Sequence, residues 1–173
     1  MDDVRFWAVI ASFDWDRTGD DGAVLAPASR VLQGLAPEEI VAFEDLLASK
    51  LFALDTREHA RWCYRGEADP DDGDHYISAD DFLYARCVVV ANGKEFYEEV
   101  LTDPSRFPTG MEFESLLYLA GDAYEALTGA QHNQRTRVSW ESFSNSDGWR
   151  PDQNTTKGRY TGSEMPPLNR RPA

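Results

Sequence analysis

Three histidines, His59, His75 and His132, are the side chains best suited to moving protons near neutral pH. They lie far apart in sequence and lack the His-Glu-x-x-His spacing that places two metal ligands on one helix face. His59 and Trp62 share the predicted helix TREHARWCYR, His75 ends the acidic run EADPDDGDH, and Asp80 and Asp81 follow in SADDF. Brought together, these five residues would form a His/Asp site between the helix carrying His59 and Trp62 and the helix start at Ser78–Phe82. Such a site suits acid–base work on a small molecule, with or without a metal ion. Each residue also has a plainer role. Asp80 and Asp81 favour the positive end of a helix dipole, His59 fits an exposed helix surface, and Trp62 fits a core.

Metal chemistry has two further footholds. Asp71, Asp72, Asp74 and His75 lie close enough in sequence to ligate a divalent cation. Yet their Asp-Pro and Asp-Gly steps are turn chemistry, and a short acidic run reads first as a solvated loop. Asp14, Asp16, Thr18 and Gly19 mimic half of a calcium loop, but Leu25 stands where that loop needs a bidentate Glu. The two cysteines, Cys63 and Cys87, have apolar neighbours and no ligand spacing, and read as reduced structural thiols, with a redox pair formed by helix packing as the alternative. No nucleophile elbow, phosphate-binding glycine loop or dinucleotide fingerprint occurs, so no cofactor is expected and the balance leans away from an enzyme.

Charge narrows the partners. The chain of 173 residues has a net charge of −14. Residues 1–130 carry 10 Lys/Arg against 27 Asp/Glu, whereas residues 131–173 carry seven against four. An acidic body repels nucleic acid and suits a basic protein partner. No run reaches the roughly 18 apolar residues of a spanning helix, and the acidic N-terminus is unlike a secretory signal, so a soluble, cytoplasmic protein is expected.

The elements that must position these residues are helical. Asp2–Phe13 carries an apolar stripe of Phe6, Val9, Ile10 and Phe13. A short helix opens at Pro27, and PEEIVAFEDLLASKLFAL is the clearest amphipathic segment, with Asp55 or Thr56 capping the next helix. Ser78 caps a nearly all-apolar helix through Ala91 that Asn92-Gly93 ends, and Lys94–Leu101 follows. Thr109 and Glu112 form a capping-box pattern for a last long helix, MEFESLLYLAGDAYEALTG, with Leu116, Leu117, Ala120, Ala123, Tyr124 and Leu127 inward. Glu114, Tyr118 and Glu125 fall on its outer side. Beyond Ala130, Trp140, Phe143, Trp149 and Tyr160 are scattered among polar residues. Four large aromatics are too many for a free linker. The expectation is all-α: one compact bundle of about six or seven helices spanning 1–130, with an irregular, mildly basic segment, 131–173, packed on it.

The ordered set FW, PEEIVAF, SADDF, ANGKEFYEEVLTDPSRF and ESLLYLAGDAYEALTG resembles the bacterial domain-of-unknown-function 4240 family over roughly residues 2–129. That family's pattern runs from a Phe-Trp helix through a Ser-Pro-Glu-Glu-Ile helix start and a Ser-Asp-Asp-x-Phe step. A Gly-(Lys/Arg)-Glu, an Asp-Pro and a final helix with Ala-Tyr follow. Here Ala36 replaces the capping Ser, Ala79 replaces the first Asp of the step, and REHARWCYRGEADPDDGDHY replaces a Trp-rich helix and a Gly-Gly-Cys step. The resemblance implies a mostly helical fold and no assigned reaction. The residues themselves favour a non-catalytic binding or regulatory protein, immunity-like or adaptor-like, that engages a basic partner. The alternative is the small-molecule His/Asp enzyme described above.

Overall fold

The computed structural model describes residues 1–63, 77–133 and 135–150. Within them lie seven α-helices: α1 (Asp3–Ile10), α2 (Asp21–Gln33), α3 (Pro37–Leu54), α4 (Arg57–Cys63), α5 (Ala79–Ala91), α6 (Lys94–Thr102) and α7 (Leu119–Thr128). Short 3₁₀ turns occupy Trp15–Arg17, Pro104–Arg106 and Glu114–Leu117. No strand occurs among the described residues, so the all-α expectation holds.

Caps set most of the helix limits. The side chains of Asp2, Asp20, Thr56 and Ser78 accept from the backbone N–H three residues on, satisfying donors that a helix start leaves free. At α3 Ala36 offers no capping oxygen; Pro37 in the first turn, with Glu38 and Glu39, fixes that start instead. Gly93 and Gly129 hold φ of 92° and 69°, conformations that a β-carbon disfavours, and so separate α5 from α6 and close α7.

Two starts differ from expectation. α2 begins at Asp21, six residues before Pro27, because Asp20 caps it and Pro27 is carried inside the helix. The last helix begins at Leu119, and the Thr109–Glu112 capping box is not used. Phe113 is drawn into the core and its N–H donates to the Tyr84 carbonyl at 3.2 Å, which holds the chain extended just where the helix would have run. α1 is also shorter than expected, ending at Ile10.

α5 is buried nearly all round: Phe82, Leu83, Ala85 and Cys87 to Ala91 are all in the core. Burying each large side chain contributes about 1.5–3 kcal/mol. It packs on α3, α4 and α6, while α7 lies against α2 and α3. The Phe6 and Phe43 rings stack at 5.0 Å and join α1 to α3.

One residue in the middle of α5 breaks the apolar pattern. Arg86 is fully buried, and its guanidinium donates to the carbonyls of Leu51 (2.7 Å) and Trp140 (2.9 Å) and to Ser142 Oγ (2.9 Å). Its plane lies over the Phe82 ring at 4.9 Å. Burial pushes its pKa down, and the nearby Asp55 charge opposes that shift.

Asp55, just beyond α3, is the matching anchor. It is also fully buried and accepts from Trp149 Nε1 (2.8 Å), Asn145 N (2.9 Å) and Phe143 N (3.0 Å). Two buried charges from the helical body therefore hold the segment 140–149 in place. Of the irregular segment expected after Ala130, residues 131–133 and 135–150 carry no helix or strand, and these polar anchors hold 140–149; residues 151–173, with Tyr160, lie outside the described residues.

Candidate functional site

The sequence-derived site divides between two regions. His59 is buried, contrary to an exposed helix position, and both its nitrogens are engaged inside the fold. The Val100 carbonyl can only accept, so Nε2 carries the proton that donates to it at 3.2 Å, and Nδ1 accepts from Thr56 Oγ1 at 2.7 Å. Burial lowers its pKa below the ordinary histidine value, which keeps the ring neutral. Trp62 is partly buried against the core. Asp80 and Asp81 are exposed in the first turn of α5. His75, with Asp71, Asp72 and Asp74, lies outside the described residues. Among the described residues no three His, Cys, Asp or Glu side chains come together as a metal-binding group.

Asp80 instead lines a cleft of about 430 Å³ that His59 does not reach. Glu44 of α3 and Asp80 and Tyr84 of α5 form one side. Tyr118, Asp122 and Glu125, at and along α7, line it as well. Gln131, His132, Trp140 and Glu141 close it from the segment that follows. Among the described residues, five of those that line it are carboxylates and none is Lys or Arg.

Helix geometry explains the convergence. Asp122 and Glu125 are three residues apart and so share one face of α7. Asp80 and Tyr84 are four apart on α5, and that spacing likewise puts them on a common face. Glu44 follows Phe43 at the margin of the buried stripe of α3, where it keeps only 7% of its surface exposed.

Glu44 is paired with His132 Nε2. The His132 side chain is only 5% exposed, and its ring lies 4.8 Å from that of Tyr124. Its Nδ1 is buried without a hydrogen-bond partner among the described residues.

A second polar group stands beside the cleft. Tyr84 and Tyr118 hydroxyls both donate to Glu114 Oε1, at 3.1 and 2.6 Å. Burial and the Glu114 carboxylate push the Tyr84 hydroxyl up to about 12; the Glu114 hydrogen bond raises that of Tyr118. Both phenols are neutral donors at physiological pH, and the Tyr118 ring remains 54% exposed.

Glu44 and His132 were not singled out from sequence as partners. They are 88 positions apart, and packing of α3 against α7 brings the segment after Gly129 back to α3. The legible signal was partial: a carboxylate beside an apolar stripe, and a histidine soon after a glycine helix stop. Glu125 and Tyr118, which read as an outer helix face, are one wall of the cleft.

Residues 1–126 match the family described as "Protein of unknown function (DUF4240)", and the chain belongs to that family. The match includes α1 to α6 and nearly all of α7, and ends before His132, Trp140 and Glu141. No curated protein and no solved structure matches the chain. No helix among the described residues is long and apolar enough to cross a membrane.

Proposed function

We propose that this chain is a non-catalytic binding or regulatory protein that engages a basic protein partner through the acidic cleft. One observation carries the reading: carboxylates from α3, α5, α7 and the following segment converge on one concavity, and no Lys or Arg lines it among the described residues. Partly walled carboxylates interact with a cation more strongly than solvated ones do, because the low-dielectric walls focus their field. The surrounding surface, with a chain net charge of −14, steers a basic partner toward the cleft from outside it.

Calorimetric titration with a mixed Lys/Arg peptide tests this. Affinity should fall steeply as salt rises from about 0.05 M to about 0.5 M, over which the screening length shrinks severalfold. The Asp122→Asn/Glu125→Gln double variant should lose most of the binding. A control that removes the same charge from α6, Glu95→Gln/Glu98→Gln, should retain it. Equal losses in the two double variants would reduce the effect to general surface charge and sink the cleft assignment.

A further inference from the structure

We infer that the group the cleft takes is a guanidinium rather than a simple ammonium. This rests on the binding role just proposed and names its chemistry. An ammonium is a compact, strongly hydrated point charge that carboxylates alone can hold. A guanidinium is flat, weakly hydrated and forked, so it also uses aromatic faces and acceptors set apart in space. The cleft supplies both. Tyr84, Tyr118 and Trp140 are interleaved with Asp80, Asp122 and Glu125 in its lining.

The Tyr84 and Tyr118 hydroxyls are tied to Glu114, which fixes both phenol rings without using the carboxylates that line the cleft. The Trp140 backbone is held by Arg86, which donates to its carbonyl, and its side chain packs against the core. The aromatic walls are thus preorganised, and a stacked guanidinium need not order them on binding. The His132 ring, paired with Glu44 and nearly excluded from water, completes the lining, and its Nδ1 has no hydrogen-bond partner among the described residues. A guanidinium offers five N–H donors in one plane, enough to serve a carboxylate pair from its edge while its face stacks on a ring.

The same chemistry has two sources: an arginine side chain of a protein partner, or a free guanidino compound. Hexaarginine, hexalysine and agmatine, titrated against the full chain at low salt, separate them. Hexaarginine is expected to bind about tenfold tighter than hexalysine. Tyr118→Phe keeps the ring and should keep that preference. Tyr118→Leu removes the ring at a half-exposed position and should bring the two peptides within about twofold. Agmatine binding as tightly as the arginine peptide assigns the cleft to a free compound; weaker agmatine binding assigns it to a protein side chain. Either outcome supports the guanidinium. Equal affinity for the two peptides, or a preference for lysine, overturns the inference and leaves the binding role standing. Binding of none of the three overturns the binding role as well. Should Tyr118→Leu fold poorly, wild-type selectivity between the peptides still decides the question.

Discussion

Replacing Asp55 by Ala should release the wrap while leaving the helical body folded. The carboxylate serves three N–H donors at 2.8–3.0 Å: Trp149 Nε1, Asn145 N and Phe143 N. Hydrogen bonds to a charged acceptor are each worth about 1.5–3 kcal/mol, so a wrap held in place after the change would lose several kcal/mol. It need not stay, however. Segment 140–149 can lift off and give those donors to water, so the observable loss is capped at the free energy that docks the wrap. We expect a global loss of about 2–4 kcal/mol, with the larger effect local. Asp55→Asn keeps one acceptor oxygen but aims an NH₂ group at other donors, and should lose about half as much. Hydrogen exchange at single-residue resolution is the assay. The Phe143 and Asn145 amides should exchange much faster in Asp55→Ala, while those of α5 keep most of their protection. Wild-type protection at both amides would refute the view that a buried charge, rather than aromatic packing, holds the wrap. Simultaneous loss throughout α5 would show that wrap and body unfold as one unit.

Three further changes follow from the same geometry. A β-carbon on Gly148 would meet Thr56 Cγ2 at 2.8 Å and the Asp55 carbonyl at 2.9 Å, so Gly148→Ala should cost about 1–3 kcal/mol in urea unfolding. Arg86→Lys keeps the charge but cannot reach Leu51, Trp140 and Ser142 at once, and a loss of about 1–3 kcal/mol with faster exchange near residue 142 is expected. His59 is held neutral, with its folded pKa below the ordinary value of about 6.5. The unfolded chain therefore binds more protons as pH falls below that value, and His59's contribution to stability is present above it and lost below it. Urea midpoints should drop between about pH 7 and pH 5 in the wild type. The slope should be shallower in His59→Gln, and an identical slope in both would exclude His59 as its source.

What was legible in the sequence followed from local rules. Ser78 as a cap, Asn92-Gly93 as a stop and the α3 limits are short-range chemistry, and they stand as expected. The misplaced starts have longer-range causes. Phe113 leaves a good capping-box pattern because its ring is worth more in the core and its N–H finds Tyr84, 29 positions back in the chain. Pro27 looks like a first-turn residue, yet Asp20 caps earlier and the core contacts of Val24 and Leu25 outweigh the hydrogen bond that Pro27 removes. Buried charge was the least legible of all. Arg86 sits within LYARCVVV, where one polar residue reads as the exposed edge of a helix; only the fold supplies its carbonyl partners from α3 and the wrap.

The cleft shows why those buried charges bear on function. Its walls come from both sides of residue 126, where the family match ends: Glu44, Asp80, Tyr84, Tyr118, Asp122 and Glu125 precede that point, and His132, Trp140 and Glu141 follow it. The later wall has no helix of its own to hold its shape. Its position depends on Arg86 bonding to the Trp140 carbonyl and to Ser142, whose hydroxyl in turn donates to the Ala79 carbonyl at the start of α5. The N-terminal end of α5, which supplies Asp80, is thereby tied directly to the segment that supplies Glu141. A buried arginine is a poor source of net stability, because desolvation offsets most of what its hydrogen bonds return. Its contribution is better sought in geometry. Undocking the wrap through Asp55→Ala should therefore weaken arginine-peptide binding even though Tyr118 and the carboxylates of α3, α5 and α7 remain in place. Unchanged affinity with a demonstrably released wrap would confine recognition to α3, α5 and α7.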